Sequence, residues 1–300
     1  MIDLTEMATE ARNPESNNLS ALSISEAVDL FNKEDLKVIE TVTRAKGEIV
    51  KAIEKSSETL INGGRIIYIG AGTSGRLGLI DAVECPPTFG VDYNTVVGII
   101  AGGDSAFIKA KENSEDNPQE VIDDLKKHNL SDKDMVIGIA ASGRTPYVIS
   151  GLKYAQELGC KTAAIVCNYN SLIKDVCNNT IEIVTGPEIL TGSTRLKAGT
   201  ATKLVLNMIS TISMVKLGKV YKNYMVDVKL SNEKLVQRAH NMVMEVCDCS
   251  FEVANKALNK SHNSAKTAIV MILLDTDYEN AKTLLDTNKG SIEALLRKGE

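Results

Sequence analysis

The sequence predicts an α/β fold, a doubly wound αβα sandwich in which a mainly parallel sheet lies between two layers of helices. The first observation is a series of five short apolar runs with helical stretches between them. Apolar runs of this kind are typical of parallel strands that helices cover on both faces. The second observation is a pair of glycine-rich turns, each of which follows one of these runs. N-terminal helices and a small C-terminal helical domain complete the predicted fold.

The N-terminal part, residues 1–55, is predicted to contain a loop and helices. Residues 1 to about 22 are polar, which predicts a loop or a partly mobile segment. Ser23 and Glu26 have the spacing of a capping box and predict a short helix that ends at Asn32. Apolar residues at intervals of three and four predict a longer helix after it, which ends at Gly63-Gly64.

Residues 56–219 are predicted to form the α/β domain. The candidate strands are the apolar runs Ile66–Ile69, Val96–Ile100, Met135–Ala140, Thr162–Val166 and Ile181–Val184. Helical patterns occupy Leu77–Val83, Pro118–His128, Pro146–Leu158 and Ala198–Leu217. Ligands of such sheets bind beyond the carboxyl ends of the strands. The segments that follow the first three strands should therefore converge on one cleft.

The first glycine-rich turn, Gly70–Gly75, carries the hydroxyls of Thr73 and Ser74. A strand, a glycine turn and a helix in this order bring free backbone N–H groups and the positive end of a helix together, which suits a phosphate. The turn also fits the dinucleotide pattern G-x-G-x-x-G. Against a dinucleotide, Asp92 precedes the strand Val96–Ile100, whereas a ribose-binding acid should follow it.

The second turn repeats the arrangement after the strand that begins at Met135. It carries Ser142, Gly143 and Thr145 before a proline that can open a helix. The alternative is that both turns serve only the packing of helices on strands. Two turns that each end a buried strand and each carry a hydroxyl favour phosphate binding over that alternative.

Two acidic segments also fall near the predicted cleft. Pro86 and Pro87 cannot continue a helix, so we expect them to hold Glu84 at a helix exit. A glutamate is disfavoured there by the helix dipole, which hints at a functional role, although a solvated carboxylate is an equal alternative. Glu115 and Asp116 belong to an acidic cluster, which is most often a solvated helix face.

A third segment, Glu188–Lys203, is rich in hydroxyls and cations and precedes a long helical pattern. It could close over an anionic sugar. The alternative is a loop of helix-capping residues with ordinary surface charges.

Composition limits the possible functions of this chain of 300 residues. Its formal net charge is −5 and it has no basic block, which argues against a nucleic-acid partner. We expect a cytoplasmic protein, because we find no signal peptide and no apolar run of about 18 residues. The six cysteines lack C-x-x-C spacing and are expected to be reduced thiols. The three histidines lack partner spacing, so no metal site is expected.

The C-terminal part, residues 220–300, is predicted to be a small helical domain. The predicted helices are Glu233–Cys247, Phe251–Asn259, Ser264–Leu274, Tyr278–Thr287 and Ser291–Arg297. Helices of this length need a partner surface, so we expect them to pack as a bundle on the main domain or on another chain.

Five segments together resemble one known family. They are Gly70–Gly78, Glu84–Gly90, Ile100–Gly103, Ala140–Tyr147 and Thr191–Thr200. In this order, and from about Ile24 to the C-terminus, the chain resembles the N-acetylmuramic acid 6-phosphate etherases. The resemblance implies a sugar isomerase (SIS) domain, which is a doubly wound αβα sandwich, followed by a small helical domain. Thr194 and Leu196 are conservative departures from the family pattern.

The resemblance also implies a reaction that needs neither a metal nor a nicotinamide. The lactyl ether of N-acetylmuramate 6-phosphate is cleaved, and N-acetylglucosamine 6-phosphate and D-lactate are formed. The C1 aldehyde of the open sugar acidifies the proton at C2. Loss of that proton expels the ether oxygen at C3, and water then adds at C3. One carboxylate as base and one carboxylic acid as proton donor suffice for this chemistry.

Roles for particular residues follow from the same resemblance. Glu84 matches the proton donor, and Glu115 matches the second catalytic glutamate and is expected to be the base. The expected substrate-binding residues are Thr73, Ser74, Ser142, Gly143, Thr145 and Ser193. Among them, the hydroxyls of Ser142 and Thr145 match the phosphate loop.

Two other functions and one question of assembly stay open at the level of the sequence. The chain could be another SIS-type phosphosugar isomerase, which would not need Glu84, or a non-enzymatic sugar-phosphate sensor. A homodimer is also expected. Ten residues of helical pattern separate Ser74 from Glu84, about 15 Å of rise, so the Glu84 of a second chain could complete the site. The competing explanation is a Cys85-Pro86-Pro87 loop that folds back within one chain.

Overall fold

The computed structural model describes residues 7–109, 111, 113–228 and 233–297. By their contacts the residues form two compact units. The first comprises Met1–Val83 and Asn94–Ser210, and the second comprises Glu84–Tyr93 and Thr211–Glu300. The boundaries that we placed at residues 55 and 219 stay a prediction.

The first unit is built on a five-stranded parallel sheet, which confirms the predicted fold class. Its strands are β1 (Ile66–Gly70), β2 (Val96–Ile100), β3 (Met135–Ile139), β4 (Lys161–Val166) and β5 (Thr180–Glu182). Their order across the sheet is β2-β1-β3-β4-β5, and every neighbouring pair is parallel. The order reverses between β1 and β3, where Gly70 pairs with Ile139. This is the switch point beside which open sheets of this kind bind ligands.

Helices cover both faces of this sheet. The side chains on both faces are therefore buried. The helices are α1 (Ile24–Arg44), α2 (Lys46–Ile61), α3 (Gly72–Phe89), α4 (Ser105–Ile108), α5 (Pro118–Lys127), α6 (Pro146–Glu157) and α7 (Lys197–Lys216). On one face Ile67, Ile69 and Val136 pack with Val121 of α5 and Leu152 of α6 in a continuous core. Full burial of each such side chain contributes about 1.5–3 kcal/mol to stability.

The N-terminal helices differ from the prediction in where they divide. The capping box is confirmed, since Ser23 accepts from the N–H of Glu26 and the Glu26 carboxylate accepts from the N–H of Ser23. The helix that it opens does not end at Asn32 but continues to Arg44, and α2 begins only at Lys46. Glu34 in the continued part is buried and accepts from Asn13 and Lys197, and no local pattern reveals these distant partners.

Helix α3 also differs from the prediction, at both of its ends. It begins at Gly72 rather than at Leu77, and it continues through Pro86 and Pro87 to Phe89. A proline lacks an N–H donor, but its carbonyl still accepts, and Pro86 accepts from the N–H of Gly90 at 2.9 Å. The helix stops just before Gly90, whose φ of +66° favours glycine. Glu84 is therefore not held at a helix exit.

The second unit contains a helical bundle and a short hairpin. Its helices are α8 (Glu233–Cys247), α9 (Phe251–Lys260), α10 (Ala265–Leu273), α11 (Tyr278–Thr287) and α12 (Ile292–Arg297). Strands β6 (Val220–Tyr221) and β7 (Tyr224–Met225) form an antiparallel pair that was not predicted. Met242, Leu258 and Ile269 lie in one core that all five helices share.

In the described part of the chain, no helix is both long enough and apolar enough to cross a membrane.

Candidate active site

A cavity of about 400 Å³ lies where β1 and β3 end, and both glycine-rich turns line it. The polar lining comes from Thr9, Glu10, Thr73, Ser74, Glu115, Asp116, Ser142, Arg144, Thr145 and Thr194. Five of the eight predicted site residues are in this set. Gly143, Ser193 and Glu84 do not line the cavity.

The first turn is compact because helix α3 begins inside it. Gly72 has a φ of +52°, and Thr73 and Ser74 are already helical residues with half-buried side chains. A Cβ on Gly75 would lie 2.6 Å from the carbonyl oxygen of Gly70, so only glycine allows the helix to start this close to the strand. The first-turn N–H groups at the start of α3 and these two hydroxyls therefore face the cavity together.

The second turn holds its hydroxyls through contacts within the loop. The N–H of Arg144 donates to Ser142 Oγ at 3.2 Å, and Ser142 Oγ lies 3.5 Å from Thr145 Oγ1. Gly143 is buried with a φ of +67°, and a Cβ there would overlap the Cβ of Ser171. Gly143 thus shapes the loop without lining the cavity. Helix α6 follows at once, with Pro146 as its first residue.

Glu115 lies in a short 3-10 turn, Ser114–Asp116, and its exposed side chain lines the cavity. The segment before it is held to α3, because Arg76 donates to the carbonyl oxygens of Ala106 at 2.7 Å and Phe107 at 2.9 Å. The segment after it is fixed by the side chain of Asn117, which caps α5. Arg76 of α3 therefore holds Ala106 and Phe107, which precede the Glu115 turn in the chain.

Glu84 lies in the part of α3 that belongs by its contacts to the second unit, and its side chain is exposed. The structure therefore brings Glu115 to the cavity with the two turns but does not bring Glu84 there. The assignment of Glu84 as proton donor stays a prediction.

The hydroxyl-rich loop before α7 reaches the cavity through Gly192 and Thr194, while Ser193 is half-buried beside them. One of the loop's cations does not face a ligand. Lys197 is buried, and its Nζ lies 2.6 Å from Glu34 Oε2. Burial opposes ionisation of Glu34, but hydrogen bonds from Lys197 and Lys37 outweigh it and lower the pKa of Glu34 to about 2.

Five polar cavity residues were not predicted as site residues: Thr9, Glu10, Asp116, Arg144 and Thr194. We expected residues 1 to about 22 to be a loop or partly mobile and did not expect buried residues there, but Thr9 and Asn13 are 2% and 4% exposed. Their partners are distant in the chain, for the Thr9 N–H donates to Asn168 Oδ1 at 3.2 Å. No local signal points to such a contact. Arg144 could have been chosen, since it lies between Ser142 and Thr145.

Among the described residues, no group of three or more histidines, cysteines or acidic residues could hold a metal ion. The six cysteines carry free thiols. The expectation that the reaction needs no metal and no nicotinamide stays a prediction.

The fold and the cavity define a class, the SIS domains. The SIS domain model matches residues 112–212, and the model of the glucokinase regulatory protein N-terminal SIS domain matches residues 48–156. The model of the C-terminal lid domain of the same regulatory protein matches residues 222–267. A solved phosphoheptose isomerase from Neisseria gonorrhoeae shares the fold, with 17% identity and a TM-score of 0.50 over 64% of this chain and 98% of that one.

Relatives of nearly full length identify the family. The N-acetylmuramic acid 6-phosphate etherase of Francisella philomiragia is 54% identical over 291 residues, which are 97% of this chain and 99% of the relative. That of Bacillus cytotoxicus is 52% identical over 293 residues, 98% of this chain and 100% of the relative. The chain belongs to the N-acetylmuramic acid 6-phosphate etherase family. This confirms the resemblance seen in the sequence and the prediction that the chain is an enzyme.

Proposed function

We propose that this protein cleaves the D-lactyl ether of N-acetylmuramic acid 6-phosphate by elimination and addition of water, giving N-acetylglucosamine 6-phosphate and D-lactate. The observation that carries the proposal is the shared cavity. It brings the carboxylate of Glu115, the predicted base, together with two turns of the kind that bind phosphate. Family membership supplies the identity of the substrate.

In this proposal the second turn holds the 6-phosphate. The hydroxyls of Ser142 and Thr145 and the N-terminus of α6 face the same cavity, and Arg144 adds a positive charge. Gly143 keeps the loop in shape. Thr73, Ser74 and the loop that contains Ser193 contact the sugar.

Glu115 is proposed as the base that removes the C2 proton, and Glu84 as the acid that protonates the departing lactyl oxygen. A base must be ionised before the reaction and an acid must be protonated. The chemistry leaves no formal requirement for a metal or a nicotinamide. The location that fits these roles is the cytoplasm, where phosphorylated sugars are degraded.

Glu84 reaches a site, in this proposal, within a homodimer. Ten residues of α3 separate Ser74 from Glu84, which is about 15 Å of helical rise, so a second chain is the simpler source of the acid. Helix α1 offers exposed apolar side chains, among polar ones, for such a contact. Ile24, Leu36 and Ile39 lie within one 120° stripe of that helix at about 100° per residue, and they are 87%, 71% and 60% exposed in the single chain.

The test is release of D-lactate from N-acetylmuramate 6-phosphate by the purified protein, with and without EDTA. We expect release in both conditions. Release that stops in EDTA and returns with a divalent ion would contradict the metal-free reaction. No release at all would favour another phosphosugar activity or a sensor.

The two glutamates are distinguished by exchange of the C2 proton with solvent deuterium. Glu115→Gln should lose exchange and turnover together, whereas Glu84→Gln should lose turnover, by roughly 10²-fold, and can keep exchange. For assembly, inactive Glu84→Gln chains are mixed with inactive Glu115→Gln chains. Recovered activity supports a site shared between two chains, and mixed dimers that stay inactive contradict it.

A further inference from the structure

The wall of the cavity includes a segment that neither the family resemblance nor the sequence pattern assigned to the site. Met7, Thr9 and Glu10 line the cavity together with the two turns. We call residues 7–13 the N-terminal arm. It contributes a third acidic side chain in addition to Glu115 and Asp116.

The arm is fixed on both sides of Glu10. On one side, Asn168 accepts from the Thr9 N–H at 3.2 Å and donates to Thr9 Oγ1 at 2.9 Å. The same Asn168 amide donates to the carbonyl oxygen of Ala141 at 3.0 Å, so it joins the arm to the second turn. Asn168 and Thr9 are each 2% exposed, and buried hydrogen bonds of this kind hold their partners in one geometry.

On the other side, Asn13 donates to Glu34 Oε2 at 2.8 Å, the oxygen that also accepts from Lys197. Asn13, Glu34 and Lys197 are all buried. The backbone between Thr9 and Asn13 is therefore anchored at both ends, and Glu10 lies within this anchored segment.

The Glu10 carboxylate has no hydrogen bond or ion pair among the residues that the structure describes, and it is half-buried at the cavity. Its Oε2 would lie 3.3 Å from a Cβ on Gly192, so glycine at that position leaves the carboxylate room. An acceptor without a donor, carried by an anchored backbone on the wall of a cavity, is placed where a ligand's donors can reach it.

The charges around the cavity indicate which donors these are. Arg144 and the hydroxyls of Ser142 and Thr145 suit an anion, whereas a phosphate or a carboxylate beside Glu10 would be repelled. We propose that Glu10 is a specificity-determining residue that accepts hydrogen bonds from the uncharged O–H and N–H donors of the amino sugar. The proposal deepens the function proposed above and rests on it for the identity of the sugar.

The test measures binding of the product N-acetylglucosamine 6-phosphate and of inorganic phosphate to the full-length protein and to Glu10→Ala and Glu10→Gln. A lost hydrogen bond to a charged group should weaken binding of the sugar about 10-fold or more. Binding of inorganic phosphate should be unchanged or tighter in both variants. Glu10→Gln keeps the volume and one acceptor, and should lose less than Glu10→Ala.

Glu15→Gln is the matched control, because Glu15 lies just beyond the arm and pairs with Lys33 at 2.6 Å outside the cavity. It should bind the sugar as the unaltered protein does. Turnover is measured in parallel, and Glu10→Ala should raise KM for N-acetylmuramate 6-phosphate more than it lowers kcat.

Unchanged affinity of Glu10→Ala for the sugar, at an unchanged melting temperature, would overturn the proposal. An equal loss for inorganic phosphate would also overturn it, as would a loss of kcat with sugar affinity intact. Because binding of the product does not require turnover, the measured affinity for the sugar does not depend on the outcome of the D-lactate assay. A protein that binds the sugar through Glu10 but releases no D-lactate would contradict only the proposed reaction.

Discussion

The two glycine-rich turns follow neighbouring strands and face one cavity, yet they are built in different ways. In the first turn the helix begins at Gly72, and the hydroxyl-bearing residues Thr73 and Ser74 are part of it. In the second turn the helix begins only at Pro146, and Ser142 and Gly143 precede it in a loop. The first turn relies on close packing of backbone on backbone, and the second on hydrogen bonds and on one glycine.

Because of this difference, substitutions in the two turns should differ in their effects on the stability of the fold and on the affinity for phosphate. Glycine in the first turn lets α3 approach the sheet, because Gly75 packs directly on the backbone of Gly70. Glycine in the second turn determines where the hydroxyl of Ser142 points. We therefore expect substitutions in the first turn to act mainly on folding, and those in the second turn to act also on binding of the phosphate.

The largest effect is expected from Gly143→Ala. Its φ of +67° costs a residue with a Cβ about 1–2 kcal/mol. Overlap of the new methyl with the Cβ of Ser171 adds a cost of about 1–3 kcal/mol. Denaturant unfolding should show a loss of about 2–5 kcal/mol, and the affinity for inorganic phosphate should fall as well.

Ser171→Gly removes the atom that the new methyl would meet. The double variant Gly143→Ala/Ser171→Gly should therefore regain the steric part of the loss and keep the backbone part. If the loss in free energy of unfolding of the double variant equals the sum of the losses of the two single variants, the overlap with Ser171 is not the cause.

The next effect concerns affinity and contrasts the hydroxyls of the two turns. Ser142→Ala should weaken binding of the phosphorylated sugar by about 1.5–3 kcal/mol, roughly tenfold or more, and leave the unphosphorylated sugar unaffected. Ser74→Ala is the matched change in the first turn and should affect both sugars alike. Isothermal titration with both ligands measures this. Equal losses for both sugars in Ser142→Ala would mean that the second turn does not hold the phosphate.

Gly75→Ala should cost stability, about 1–3 kcal/mol, the usual range for an overpacked site. Its Cβ would lie 2.6 Å from the Gly70 carbonyl oxygen and 2.7 Å from Ile100 Cγ1. The carbonyl belongs to the sheet and cannot move away. The melting temperature should fall, while the protein that stays folded should bind phosphate normally. A normal melting temperature with weak phosphate binding would reverse the contrast between the turns.

The turns also show which parts of the structure could be predicted from the sequence. Strands such as Val96–Ile100 were predictable to the residue because burial on both faces requires an unbroken apolar run. The start of α3 was not, because Gly72, Thr73 and Ser74 have the composition of a turn, and the close approach of Gly75 to Gly70 has no local signal. The N-terminal arm was missed for a similar reason. Thr9 is buried by Asn168, which is 159 residues away, so its own neighbours carry no sign of burial.

The smallest effect is expected from Gly72→Ala, which tests the cost of left-handed backbone strain without a steric overlap. Gly72 has a φ of +52°, but a Cβ there would meet no atom within 4 Å. The cost should be limited to left-handed strain, about 1–2 kcal/mol. Gly72→Asn should recover part of it, since asparagine adopts this conformation more readily. Thermal unfolding of the two variants gives the comparison. If Gly72→Ala costs as much as Gly143→Ala, the overlap with Ser171 adds nothing, and the second turn is no more constrained than the first.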